Sequence, residues 1–225
     1  MDKKKMSDFQ SLNKAQKINT IINYLIILIF EIVLIGFIIT MLFLGDPTNR
    51  MAACVSALIY YLLPFVLQWV FRVRISPVLI SIYLIFITIA GFLGSCLHLY
   101  YILPAMDKIL HFSWGYISCF IGLYVLARTK EIDLLKTVTI IIFFVAISMA
   151  TASIWEIIEF TGDTFMNQTA QGKPVGGITP VNDTMLDIIC HACGTIIFTI
   201  HYLIDKLTRK NLGITSVVND FKKDY

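Results

Sequence analysis

The chain has 225 residues, of which 57% are hydrophobic and 15% are charged, and its mean hydropathy is +0.78. This composition excludes an ordinary soluble domain and is typical of a polytopic membrane protein. The net charge of +3 does not indicate a nucleic-acid partner, because the basic residues stand at the ends of apolar runs rather than in a binding stripe.

Six apolar runs are each long enough for a membrane-spanning helix, which needs about 20 residues. All but one of the connections between them are short, so neighbouring helices are expected to be antiparallel. The predicted fold is therefore an all-α, six-helix transmembrane bundle. We predict a basic N-terminal segment at 1–19, a transmembrane domain at 20–205 and a basic tail at 206–225. The predicted helices cover residues 20–44, 51–71, 77–97, 107–127, 134–160 and 184–204.

Basic residues are concentrated on one side of the predicted helices. Fifteen of the 18 Lys and Arg residues fall on that side, and only Arg50, Lys108 and Lys173 fall on the other. Cytoplasmic loops carry the excess of Lys and Arg in membrane proteins. We therefore expect a multi-pass protein of the cell (plasma) membrane, with both the N- and the C-terminus in the cytoplasm.

The first predicted helix carries Glu31 close to its centre. No Lys or Arg stands at a matching depth in another helix, so this carboxyl group is expected to be protonated or hydrogen-bonded inside the bundle. Its role is left open between a proton relay and a hydrogen bond that only holds helices together.

Three polar motifs interrupt the last three apolar runs. Asp107 and His111 are one turn apart at the start of the fourth predicted helix, where Asp107 also suits a helix cap. Ionisable residues inside a membrane indicate a functional site by default. The other two motifs are Glu156 with Glu159 at the end of the fifth helix, and Asp183, Asp187 and His191 on successive turns of the sixth.

Antiparallel helices reverse direction at every loop, so all three motifs are expected at the extracytoplasmic face. We predict that His111, Glu156 and Asp187 approach one another within one metal-coordination sphere or one bridging water. Histidine with carboxylates suits a divalent metal such as Zn²⁺. The predicted metal ligands are His111, Asp183, Asp187 and His191, and the predicted catalytic residues are Asp107, Glu156 and Glu159.

One connection, residues 161–183, is long and contains several Gly and Pro residues. It is predicted to be extracytoplasmic. A loop of this length in a compact protein is either a lid or binding segment or a disordered connector, and the sequence leaves both interpretations open.

Together the motifs Asp107-Lys108-x-x-His111-Phe112, Trp155-Glu156-x-x-Glu159 and Asp183-x3-Asp187 resemble the YjdF-like family of bacterial inner-membrane proteins, a domain of unknown function. The resemblance covers about residues 75–205. It extends more distantly to VanZ-like proteins, although their pattern usually has Gln at the position of Glu159 and Asn at that of His191. The resemblance implies a membrane protein and supplies no reaction.

Two kinds of function fit this pattern. The first is metal-dependent or acid–base chemistry on a lipid-linked or amphipathic substrate in the membrane, with one Glu as general base. The second needs no catalysis: a proton-coupled transporter, which should also need Glu31, or a structural or accessory membrane protein. The sequence has no nucleophile elbow, phosphate loop or nucleotide-binding fingerprint.

Overall fold

A computed structural model describes residues 14–46, 50–103, 105–166, 170–171, 179–208 and 212–223. Every regular element in these ranges is helical, and none of their residues lies in a strand. Six helices of the described part are long and apolar enough to cross a membrane. The prediction of an all-α polytopic membrane protein is confirmed.

The chain divides into two compact units, the first ending at Ile102 and the second covering Leu103–Lys223. Each unit holds three of the long helices. The first unit contains α1 (Lys14–Leu44), α2 (Met51–Phe71), α3 (Pro77–Ile87) with a π-helical continuation (Thr88–Cys96), and the short α4 (Leu99–Ile102). The second contains α5 (Ala105–Arg128), a 3₁₀ turn (Glu131–Asp133), α6 (Thr137–Met166), α7 (Pro180–Thr208) and α8 (Ile214–Phe221).

Several helices are longer than the apolar runs that predicted them. Helix α1 begins at Lys14 rather than at residue 20, and α6 continues to Met166 instead of ending at residue 160. Helix α7 begins at Pro180, so both ends of the predicted connection 161–183 are helical. Apolarity marks only the hydrocarbon core, whereas the backbone stays helical into the interface. Residues 1–13, 167–169 and 172–178 lie outside the described residues.

The interior of the first unit is apolar with a few polar ties. Leu34, Tyr61 and Leu84 are almost fully buried where α1, α2 and α3 meet. The Tyr61 hydroxyl lies 2.9 Å from Thr88 Oγ1, at the start of the π-helical segment. Asn23 Nδ2 donates to the carbonyl of Pro77 over 2.9 Å, which ties α1 to the first turn of α3.

Glu31 of α1 belongs to this unit. Its Oε1 atom is buried and has no hydrogen-bond partner in the described part of the chain. A buried carboxylate oxygen without a donor is costly in an apolar environment. This oxygen therefore makes no interhelical hydrogen bond of the kind that a purely structural role for Glu31 would use.

The second unit is held together by glycines at two helix crossings. A Cβ atom on Gly115 of α5 would overlap the backbone carbonyl of His191 on α7, and one on Gly194 would overlap the carbonyl of Phe112 on α5. At the crossing of α5 with α6, a Cβ on Gly122 would lie 2.6 Å from Phe144 Cα. Small residues at these points let the backbones approach closely.

Helix α8 packs on the second unit near the C-terminal end of α7. This helix buries Ile214, Val218 and Phe221, which recur at helical spacing on one face. Asp205 of α7 fixes where it starts, because its carboxylate accepts the backbone N–H groups of Leu212 at 3.0 Å and Thr215 at 2.7 Å. The predicted tail 206–225 thus contains an ordered helix.

Candidate functional site

The three predicted motifs lie together in the second unit. The polar side chains come from the first two turns of α5, the first two turns of α7 and the last three turns of α6. The glycine crossing brings α5 and α7 into close contact. Asp187, His111, Asp183 and Glu156 are buried, and the side chain of Asp107 is 27% exposed at the rim.

Lys108 is the cation at the centre of the aspartates. Its Nζ atom lies 2.9 Å from Asp107 Oδ2, 2.6 Å from Asp183 Oδ1 and 2.7 Å from Asp187 Oδ1. These charge-assisted hydrogen bonds join the first turns of α5 and α7. Asp183, a predicted metal ligand, is thus engaged with Lys108.

The His111 imidazole stands between three carboxylates. Its Nε2 atom is 3.6 Å from Asp107 Oδ1 and 3.6 Å from Asp187 Oδ1, and its Nδ1 atom is 3.8 Å from Glu156 Oε1. All three separations are too long for hydrogen bonds. The predicted approach of His111, Glu156 and Asp187 is present in the geometry, one residue from each helix.

Glu156 is the buried group of this site that lacks a partner. The residue is only 6% exposed, and no described residue lies at hydrogen-bond distance from Oε1 or Oε2, although the Thr184 side chain lies beside the carboxylate. Its neighbour Glu159 differs, because Glu159 Oε1 accepts a hydrogen bond of 2.7 Å from the indole N–H of Trp155. The Trp155-x3-Glu159 spacing, one helical turn, explains why these two side chains meet.

Two groups of ligand-type atoms lie close enough to hold a metal ion. One contains Asp107, His111 and Asp187, and the other contains Glu156, Glu159 and Asp187. Within each group the ligand atoms lie within 4.8 Å of one another. Asp187 belongs to both groups.

His191 occupies a separate, deeper position and belongs to neither group. The residue is fully buried, and its Nε2 atom lies 2.9 Å from Ser148 Oγ on α6. Ser148 also lies 2.8 Å from both Ser118 Oγ and Thr195 Oγ1. No described residue is a hydrogen-bond partner of His191 Nδ1. A hydroxyl cluster of Ser118, Ser148 and Thr195 therefore lies beside the histidine that was predicted to be a metal ligand.

Sequence reasoning missed Lys108 and this hydroxyl cluster. Lys108 stands in the first motif and in the count of basic residues but was assigned no role in the site, although its place beside Asp107 at the start of the helix was a signal that it faces the acidic residues. Ser148 carried no signal, because a serine within an apolar helix ordinarily bonds its own backbone or packs a neighbour.

The connection after α6 touches the rim of the site. Asp163 accepts the backbone N–H groups of Ala170 at 2.7 Å and Gln171 at 3.0 Å, and Gln171 Nε2 donates to Thr184 Oγ1 over 3.0 Å. An open cavity of about 190 Å³ lies elsewhere, at the other end of α7 beside Asp205 and α8, and none of the predicted site residues lines it.

Comparison with known proteins identifies the family. A family model described as "Predicted membrane protein (DUF2238)" matches residues 24–206. The chain belongs to the DUF2238 family. The matched region includes all three motifs and confirms a membrane-protein family, whereas the YjdF-like resemblance stays a prediction. No curated protein and no solved structure matches the chain, so the distant similarity to VanZ-like proteins has no support.

Proposed function

We propose that this DUF2238 protein binds a divalent metal such as Zn²⁺ among His111, Asp107, Asp187, Glu156 and Glu159, and uses it in acid–base chemistry on a lipid-linked or amphipathic substrate. The observation that carries the proposal is Glu156. Its carboxylate is buried, and neither oxygen has a donor at hydrogen-bond distance among the described residues. Such a group is strongly destabilising unless a proton or a cation compensates it.

Electrostatics favours a cation at this place. Among the described residues of the cluster, the ammonium group of Lys108 opposes five carboxylates, those of Asp107, Glu156, Glu159, Asp183 and Asp187. With neutral imidazoles this leaves a formal charge of −4 on the cluster. Like charges this close in a medium of low dielectric must be protonated or bridged by a cation.

Spacing favours a metal over a hydrogen-bonded network. Metal–ligand bonds of about 2.1 Å place two ligands of one tetrahedral ion about 3.4 Å apart. His111 Nε2 is 3.6 Å from oxygens of both Asp107 and Asp187, close to that value and beyond hydrogen-bond length. These three residues would bind an ion on the Nε2 side of the ring, whereas Glu156 faces Nδ1 at 3.8 Å and would reach an ion together with Asp187 and Glu159.

Each residue then has a chemical role. The metal would polarise a phosphoryl or carbonyl oxygen of the substrate and lower the proton affinity of a bound water. As the water oxygen forms its bond to phosphorus or carbon, a carboxylate oxygen of Glu156 or Glu159 that does not bind the ion would take the released proton and pass it to the departing oxygen. His111 and Asp187 would hold the ion, and Asp107 at the exposed rim would meet the substrate.

An amphipathic substrate fits the surroundings of the site. Ile157 and Ile158 on α6 are exposed beside Glu156, as are Met185 and Leu186 beside Asp187 on α7. In a bilayer these apolar surfaces face lipid, so acyl chains could lie against the helices while a polar headgroup reaches the carboxylates. The proposed location is the extracytoplasmic side.

Metal analysis of the detergent-purified protein tests the proposal. We expect about one or more equivalents of a divalent ion in the native protein and its loss in Glu156→Ala. Glu131→Ala, which removes an exposed glutamate from the 3₁₀ turn, is the matched control and should keep the ion. A native protein that takes up no ion when dialysed against Zn²⁺ or Mn²⁺ would contradict metal binding.

A second candidate, a structural role, is favoured by Lys108. Its ammonium ties Asp107, Asp183 and Asp187 together and could serve only to join α5 to α7. In that case Glu156→Gln should leave every phenotype unchanged, because Glu156 takes no part in the tie.

A third candidate, a proton-coupled carrier, is favoured by Glu31, whose buried Oε1 has no hydrogen-bond partner among the residues that the structure describes. A carrier would lose transport on Glu31→Gln as well as on Glu156→Gln. The metal site needs only the second of these carboxylates.

A further inference from the structure

We propose that the site holds two divalent cations bridged by Asp187, and that its substrate is a lipid carrying a phosphoryl group. This inference rests on the proposed metal binding and adds a metal number and a substrate class to it.

The two groups of ligand atoms supply the positions. Asp107 and His111 form one position with Asp187, and Glu156 and Glu159 form the other with the same aspartate. Because a carboxylate has two oxygens, Asp187 can give one to each cation. Glu156 belongs to the second position. It is more than nine-tenths buried, and both of its oxygens lack a donor at hydrogen-bond distance among the described residues, which points to a ligand there.

The charge of the cluster supports two ions rather than one. Five carboxylates and Lys108 carry a formal charge of −4, which two divalent cations neutralise and one leaves at −2. Residual charge at this burial is costly, since Asp187 is 1% exposed and Glu156 is 6% exposed. A protonated Glu is the alternative for the remaining charge, and it predicts one ion per chain.

Two adjacent cations define the substrate chemistry. Pairs about 3.5–4 Å apart clamp the attacking and leaving oxygens of a phosphoryl group. Lys108 stands at the edge of the same cluster, with its side chain 27% exposed. Once cations neutralise the aspartates, its ammonium is available for a non-bridging phosphoryl oxygen.

Stoichiometric titration with Mn²⁺ tests the two positions. We expect two Mn²⁺ per native chain, one in His111→Gln, one in Glu159→Gln and none tightly held in Asp187→Asn. Electron paramagnetic resonance should show exchange-coupled Mn²⁺ in the native protein and an isolated-ion spectrum in the two single-position variants. Elution of each variant as a monodisperse peak in detergent confirms that it is folded.

The outcomes separate the two proposals. One uncoupled Mn²⁺ per native chain overturns the bridged pair while leaving the proposed function intact. If the native protein binds neither Mn²⁺ nor Zn²⁺, both the bridged pair and the proposed metal-dependent function are overturned. Two ions that remain uncoupled would overturn the bridging role of Asp187.

Binding of dihexanoyl phosphatidic acid to the Mn²⁺-loaded protein tests the substrate class. We expect saturable binding that weakens at least tenfold in Lys108→Met and is unchanged in Lys206→Met, a control at the other end of α7. Dihexanoylglycerol, which lacks the phosphoryl group, should not compete. If inorganic phosphate competes as well as the lipid, the site recognises the phosphoryl group and not the acyl chains, and the lipid part of the proposal is overturned. If dihexanoylglycerol binds as well as dihexanoyl phosphatidic acid, the phosphoryl substrate class is overturned.

Discussion

His191 illustrates what a single residue can and cannot reveal. Because His191 shares a helix face with Asp183 and Asp187, the sequence predicted that it is a metal ligand. In the structure it lies one turn beyond Asp187, and its Nε2 atom is 2.9 Å from Ser148 Oγ. The geometry favours hydrogen bonding over metal binding, because His191 lies in neither group of ligand atoms found among the described residues.

We expect His191→Asn to keep the full metal content and to lower the free energy of unfolding by about 1 kcal/mol. The loss arises because the shorter Asn side chain ends before it reaches Ser148 Oγ. Metal analysis and denaturant unfolding would be run beside His111→Asn, which should lose metal. Reduced metal content in His191→Asn would restore the role that the sequence predicted.

Lys108 is the residue that most directly competes with a metal. Its Nζ is bonded to Asp107 and Asp187, which also belong to one candidate ligand group. We expect Lys108→Met to raise the affinity for Zn²⁺ by about tenfold, equivalent to about 1.4 kcal/mol, because a competing positive charge is removed. Competition with a chelator measures this, and Lys206→Met should leave the affinity as it is. A weakened affinity would mean that Lys108 positions the ligands.

At the scale of helices, the site depends on how closely α5 approaches α7. The two glycines at that crossing meet backbone rather than flexible side chains, so the helices must separate if either gains a Cβ. We expect Gly115→Ala and Gly194→Ala each to lower the free energy of unfolding by about 1–3 kcal/mol. Thermal unfolding in detergent measures the effect.

The control for this prediction is Gly36→Ala in α1, where a Cβ would meet nothing within 4 Å. It should stabilise α1 slightly, by about 0.5–1 kcal/mol, because Ala is a better helix former than Gly. If Gly115→Ala is as well tolerated as Gly36→Ala, the helices are not held at the separation that the crossing requires.

The long apolar runs predicted correctly that each segment is a helix. They did not predict the ends of α1, α6 and α7, which extend beyond their apolar runs. The runs at 51–71 and 77–97 match α2 and α3 with its continuation closely. The change from α- to π-helix at Thr88 carried no sequence signal, since either form satisfies the backbone within the segment. The amphipathic α8 was overlooked because its helix of eight residues is too short to be a membrane span.

For the whole molecule, the orientation in the membrane remains a prediction from the distribution of basic residues. In a variant whose native cysteines are replaced, Gln171→Cys should react with a membrane-impermeant maleimide added outside the cell. Thr129→Cys, in the turn between α5 and α6, should react only after the membrane is permeabilised. The opposite labelling would invert the topology and move the site to the cytoplasmic side.

The sequence by itself determined the class, the number of spans and the residues of three polar motifs, because burial of apolar runs in lipid and the cost of intramembrane charge act on each segment alone. Only the tertiary structure decided which of these residues meet. The crossing at Gly115 and Gly194 sets Lys108 among the aspartates and His191 beside Ser148. Side-chain partners depend on the distance between helices, which no single segment encodes.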